Sequence, residues 1–112
     1  MRRLVPSSAL LAALAVLAGC AVSATHNEAR VRVTDNGFEP AIVMLPHGPN
    51  ATLVITRVSD ATCATEAVFA ESGRKYPLPL NQDVRIPLDA ARPETLHYAC
   101  GMDMYKGRVV VQ

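Results

Sequence analysis

Residues 30–34, Arg-Val-Arg-Val-Thr, carry an apolar side chain at every second position, the period of a strand with one buried face. Asp35-Asn36-Gly37 follows, a run that tolerates the positive φ of a turn. Residues 41–45 form a short apolar run between Pro40 and Pro46, and residues 51–58 a longer one rich in β-branched side chains, with His47-Gly48-Pro49-Asn50 as the turn between them. Comparable segments recur at 65–69, 83–88, 95–100 and 108–112. Residues 71–79, which contain Ser72-Gly73, Pro77 and Pro79, predict an extended loop or a single turn of helix. No stretch holds a helical period and no segment repeats. Seven short strands in residues 30–112, punctuated by Pro and Gly, predict an all-β sandwich or small barrel.

The first 19 residues read as an address. Met1-Arg2-Arg3 is a basic start, Leu4 to Leu17 is almost unbroken Ala, Leu and Val, and the stretch is too short to span a bilayer as a stable helix. Leu17-Ala18-Gly19-Cys20 resembles the bacterial lipobox, which implies lipidation of Cys20 as the new N-terminus. Residues 20–29 are small and polar and suit a tether to a domain beginning near Arg30. Removing residues 1–19 takes Arg2 and Arg3 with them, so the formal charge falls from +1 to −1. The expected protein is small, nearly neutral and held at a bacterial membrane from the extracytoplasmic side, where disulfides persist.

Composition narrows the function. Eleven Lys and Arg against ten Asp and Glu leave no cationic excess for a nucleic-acid backbone. No Trp, two Phe and three Tyr give little material for stacking platforms. A mature domain of 93 residues folds on a thin core that a metal or a disulfide would support.

Sulfur is where the chemistry concentrates: Cys63 in mid-chain, and Cys100-Gly101-Met102-Asp103-Met104 near the C-terminus. If the backbone stays extended, the spacing of two puts Cys100, Met102 and Met104 on one side. Thiolate and thioether donors together select a soft cation, and Cu(I) above all. Zn accepts thioethers poorly, and an iron–sulfur cluster needs more cysteines than Cys63 and Cys100. Met44, beside Val43 and Leu45, reads as core packing. His47 reads as a turn residue, His97 as a strand residue and His26 as tether; His26 or His47 offers weak capture of Cu(II) or Zn.

Four segments resemble the cupredoxins, and within them the CupA-type Cu(I)-binding chaperone domains. They are Asp35-Asn36-Gly37-Phe38-Glu39-Pro40, Thr62-Cys63-Ala64-Thr65-Glu66, Leu78-Pro79-Leu80-Asn81, and Tyr98-Ala99-Cys100-Gly101-Met102-Asp103-Met104-Tyr105-Lys106-Gly107. The resemblance covers about residues 30–112 and implies a Greek-key sandwich or barrel. It also implies one or two Cu(I) ions held by Cys63, Glu66, Cys100, Met102 and Met104, a monomer, and a copper-transporting P-type ATPase as partner.

An electron-transfer cupredoxin needs two His, a Cys and usually an axial Met, with one His shortly after the Cys. No His follows Cys100, and strand parity turns His97 to the face opposite Cys100 while Tyr98 shares its face. The expected role is therefore extracytoplasmic copper sequestration or delivery. The alternative is a metal-free accessory module stapled by a Cys63–Cys100 disulfide. A thiol redox enzyme would need a Cys-x-x-Cys pair and a hydrolase a nucleophile motif. Neither is present, and no enzyme activity is expected.

Overall fold

In the computed structural model, residues 27–112 are described, with Gly19 ahead of them. Cys20, His26 and, Gly19 apart, the leader lie outside the described residues, as does the tether up to His26. Strand β1 (Glu28–Thr34) starts two residues before Arg30 and follows the alternation of the sequence: Ala29, Val31 and Val33 are buried and the arginines between them exposed. The other strands are β2 (Gly37–Glu39), β3 (Ile42–Leu45), β4 (Thr52–Arg57), β5 (Glu66–Phe69), β6 (Lys75–Pro77), β7 (Asp83–Pro87), β8 (Glu94–Ala99) and β9 (Lys106–Val111).

They form two layers, one in the order β2-β1-β4-β7 and the other β3-β9-β8-β5-β6. Pairs β1/β4 and β3/β9 are parallel and the remaining ladders antiparallel. Val33, Leu53, Ile55 and Ile86 of the first layer meet Ala67, Phe69, Tyr98 and Val109 of the second in one apolar core. The all-β class holds, and all seven expected strands are present within two residues at each end.

Two further strands go beyond the seven expected: β2 begins on the last residue of the expected turn, and β6 lies in the segment expected as an extended loop or a single turn of helix. Each has only three residues and exists through its partner: β2 pairs β1 with Arg32 opposite Glu39, and β6 pairs β5 with Glu66 opposite Pro77. Three residues are too few to display a period, and Gly37 and Pro77 disguise them further. Met44 is a second correction. Strand β3 lies at a sheet edge and alternates exposed and buried, so Val43 and Leu45 fill the core while Met44 is 62% exposed.

The β8/β9 ladder sets the base from which the sulfur-bearing loop leaves. Tyr98 lies in the core against Phe38 in an edge-to-face contact, ring centroids 4.8 Å apart, and faces Gly107 across the ladder. Burial pushes the Tyr98 phenol far above its ordinary range, so the ring stays neutral. A Cβ at position 107 would coincide with the Tyr98 ring, which has packed neighbours on its other sides and cannot retreat. Gly107→Ala is therefore expected to destabilise the fold by about 2 kcal/mol through overpacking, read as a lower midpoint of urea unfolding. An unchanged midpoint would mean that β8 and β9 separate freely at this end.

Candidate metal centre

The loops following β1, β4, β6 and β8 gather at one end of the sandwich. Arg57, closing β4, donates from Nε to the Leu78 carbonyl at 2.6 Å, and Leu80 bridges to Arg57, which brings the β6–β7 connection alongside the β4–β5 loop. Cys63 lies at the tip of that β4–β5 loop. Thr62 turns the chain by accepting the Ala64 N–H at 3.1 Å on its hydroxyl, and the Thr65 N–H reaches back to the Cys63 carbonyl at 2.9 Å. The thiol is left exposed.

Cys100 directly follows β8 and organises the next loop with three of its own atoms. Its N–H donates to the Tyr105 carbonyl at 3.0 Å, its carbonyl accepts from the Asp103 N–H at 2.8 Å, and its Sγ accepts from the Tyr105 N–H at 3.3 Å. Asp103 takes a positive φ of 57° to close the turn, a conformation that Asp tolerates better than most residues. The extended run expected for Cys100, Met102 and Met104 is thus corrected. The backbone turns instead, burying the Cys100 thiol and leaving Met102 and Met104 at 70% and 64% exposure.

The turn brings Met104 to Cys63. The Cys63 thiol points at the Met104 thioether across 3.7 Å, from positions 41 residues apart in the chain. Glu66 arrives through the sheet. Strand β5 pairs β8 with Val68 opposite Ala99, and two more steps of that register set Glu66 opposite Gly101. There a Cβ on residue 101 would collide with the Glu66 carboxylate, so the glycine makes room for it. Met102, by contrast, is exposed on the rim.

Cys63 and Cys100 are both free thiols, so the expected alternative of a disulfide is not formed in this structure. Among the described residues, no three His, Cys, Asp or Glu side chains group closely enough to hold a metal ion by themselves. The sulfurs of Met102 and Met104 stand at the same end, and thiolate together with thioether is the donor chemistry that favours Cu(I) over Zn.

The two described histidines, His47 and His97, are engaged elsewhere. His97 is exposed on the outer face of β8, with Nδ1 2.7 Å from Glu71, whose carboxylate also accepts the His97 N–H at 3.0 Å. Partial burial pushes the Glu71 carboxyl up, but the hydrogen bonds from His97 outweigh it and hold the group below its ordinary range. His47 has its Nδ1 2.6 Å from the Gln112 carbonyl. Ser59 and Tyr105 also build this end, and Asp35 does so as more than a turn residue. Asp35 and Tyr105 fall inside the segments that carry the resemblance, whereas nothing in the sequence signals Ser59.

No curated protein sequence matches the chain. Among solved structures, one is the metal-binding domain of the Cu(I)-exporting P-type ATPase CopA of Streptococcus pneumoniae, crystallised with Cu(I). It is 26% identical, with a TM-score of 0.67 over 76% of this chain and 84% of that one. The solution structure of a copper-binding protein in its apo form is 27% identical, with a TM-score of 0.67 over 76% of this chain and 86% of that one. A purple cupredoxin from Nitrosopumilus maritimus, 15% identical with a TM-score of 0.53 over 75% of this chain and 99% of that one, shares the fold. The family profile described as "Cupredoxin-like domain" matches residues 7–111, and the chain belongs to that family of cupredoxin-like domains.

Proposed function

We propose that this protein binds Cu(I) outside the cytoplasm, anchored to a bacterial membrane through Cys20, and sequesters the ion or exchanges it with a membrane partner. The observation that carries the reading is the meeting of Cys63 and Met104 at 3.7 Å beside the loop that Cys100 closes. Cys63 and Cys100 supply affinity, because a thiolate is an anionic soft donor that binds Cu(I) tightly after losing its proton. Met102 and Met104 are neutral donors that bind more weakly, exchange faster and cannot form disulfides. Glu66 adds a carboxylate beside Gly101. The buried Cys100 makes the tight position and the exposed methionines make the entrance, so copper enters and leaves on the methionine side. This is binding rather than catalysis.

The Cu(I) carried by the Streptococcus pneumoniae ATPase domain, and the copper-binding description of the apo relative, support this reading. A copper-transporting P-type ATPase is the proposed partner. The anchor is supported by Leu17-Ala18-Gly19-Cys20 and would raise the local concentration of copper carrier at the bilayer. The reduced protein, titrated anaerobically with Cu(I) against a chromophoric Cu(I) chelator, is expected to take up one or two ions, the second more weakly. A folded, fully reduced protein that fails to compete would overturn the copper reading.

A further inference from the structure

The Asp35-Asn36-Gly37 turn contributes no sulfur, yet both sulfur-bearing loops are fastened to it. Tyr105, next to Met104, donates its phenol O–H to the Asp35 carbonyl at 3.2 Å. Its ring lies over Gly37, where a Cβ would come within 2.5 Å of the ring Cδ1; Gly37 also has a φ of 104°, which L side chains rarely adopt. From the other side Ser59, at the start of the loop that carries Cys63, donates its hydroxyl to the Asp35 carboxylate. The same hydroxyl accepts the Ala61 N–H at 3.2 Å. Among the described residues no backbone hydrogen bond joins the Cys63 loop directly to the Met104 loop. Beside the Cys63–Met104 contact itself, they are linked through the chain Ser59, Asp35, Tyr105.

We propose that Asp35, Ser59 and Tyr105 are positioning residues of the Cu(I) site: they hold the two loops at the separation that keeps Met104 against Cys63. The proposal rests on the copper reading above and adds how the site is assembled. Two exposed, turn-rich loops would otherwise be ordered only when copper binds, and the lost chain and rotamer freedom would subtract from affinity. Fastening both to a turn whose glycine admits the Tyr105 ring moves that ordering into folding. Tyr105 has a second hold on the site, since its N–H donates to Cys100 Sγ at 3.3 Å. Partners of this kind, which touch the ligands but not the metal, commonly govern metal affinity.

The test uses Tyr105→Phe, which keeps the ring over Gly37 and removes only the hydroxyl, and Ser59→Ala. Each is made in the full chain and again in a Met104→Ala background. All are titrated anaerobically with Cu(I) against the chelator, with thermal unfolding of the metal-free protein alongside. Each single substitution is expected to leave the unfolding temperature nearly unchanged and to weaken the Met104-dependent binding step ~10-fold. In the Met104→Ala background neither should weaken binding further. Equal losses with and without Met104, or unchanged binding by both single variants, would overturn the positioning role while leaving the copper reading standing. A parent protein that takes up no Cu(I) would overturn both.

Discussion

Cys63→Ser is expected to leave a fully folded protein whose Cu(I) affinity has dropped by on the order of 1,000-fold, about 4 kcal/mol. The thiol is exposed at a loop tip and packs no core, so the folded state has little to lose. The metal loses one of two anionic soft donors, and a serine hydroxyl, a harder and poorer donor for Cu(I), does not replace it. Cys100→Ser should lose as much affinity but not so cleanly. Its sulfur is buried and accepts the Tyr105 N–H, so a hydroxyl there also disturbs the loop by about 1–2 kcal/mol. The pair separates ligation from folding: chelator competition should report a similar loss for both, and urea unfolding a loss for Cys100→Ser alone. A Cys63→Ser protein that binds Cu(I) as the parent does would remove that thiol from the site.

The sequence made the sandwich legible because its strands are short and the alternation of buried and exposed positions is clean in β1 and β9. Legibility failed where structure depends on a partner strand. The three-residue strands β2 and β6 have no period to read, whereas the exposure of Met44 follows from strand parity, which turns it to the face opposite Val43 and Leu45. At the site, the residue types announced soft-metal chemistry, but extrapolating the strand past Cys100 misjudged the path of the chain. Gly101, which yields its side-chain volume to Glu66, and Asp103, at positive φ, are the residues that let it turn. Local turn chemistry competes with a period-two pattern and here prevails. Nothing local could place Cys63 beside Met104, or Tyr105 over Gly37. Those contacts belong to the packing of loops from the two layers: spacing alone grouped Cys100, Met102 and Met104, and only the resemblance gave a reason to add Cys63 and Glu66 to them.

Met104→Ala is expected to cost more than Met102→Ala, although the two share a loop, a side chain and nearly the same exposure. The asymmetry comes from preorganisation. Met104 lies 3.7 Å from the Cys63 sulfur, so using it as a ligand takes little further ordering. Met102 is 70% exposed and must surrender its rotamer freedom, roughly 1 kcal/mol or more, when it is recruited. Loss of Met104 should therefore weaken the second Cu(I) step by on the order of 100-fold, about 3 kcal/mol, with a several-fold smaller effect for Met102. Transfer to an acceptor chelator should slow in the same order, and the double variant should retain the tight thiolate-bound ion and the fold. Stopped-flow transfer to the acceptor chelator reads that order directly. Equal effects of the two substitutions would mean that copper, rather than the fold, places Met104, and a double variant that binds and delivers copper like the parent would reduce both methionines to surface packing.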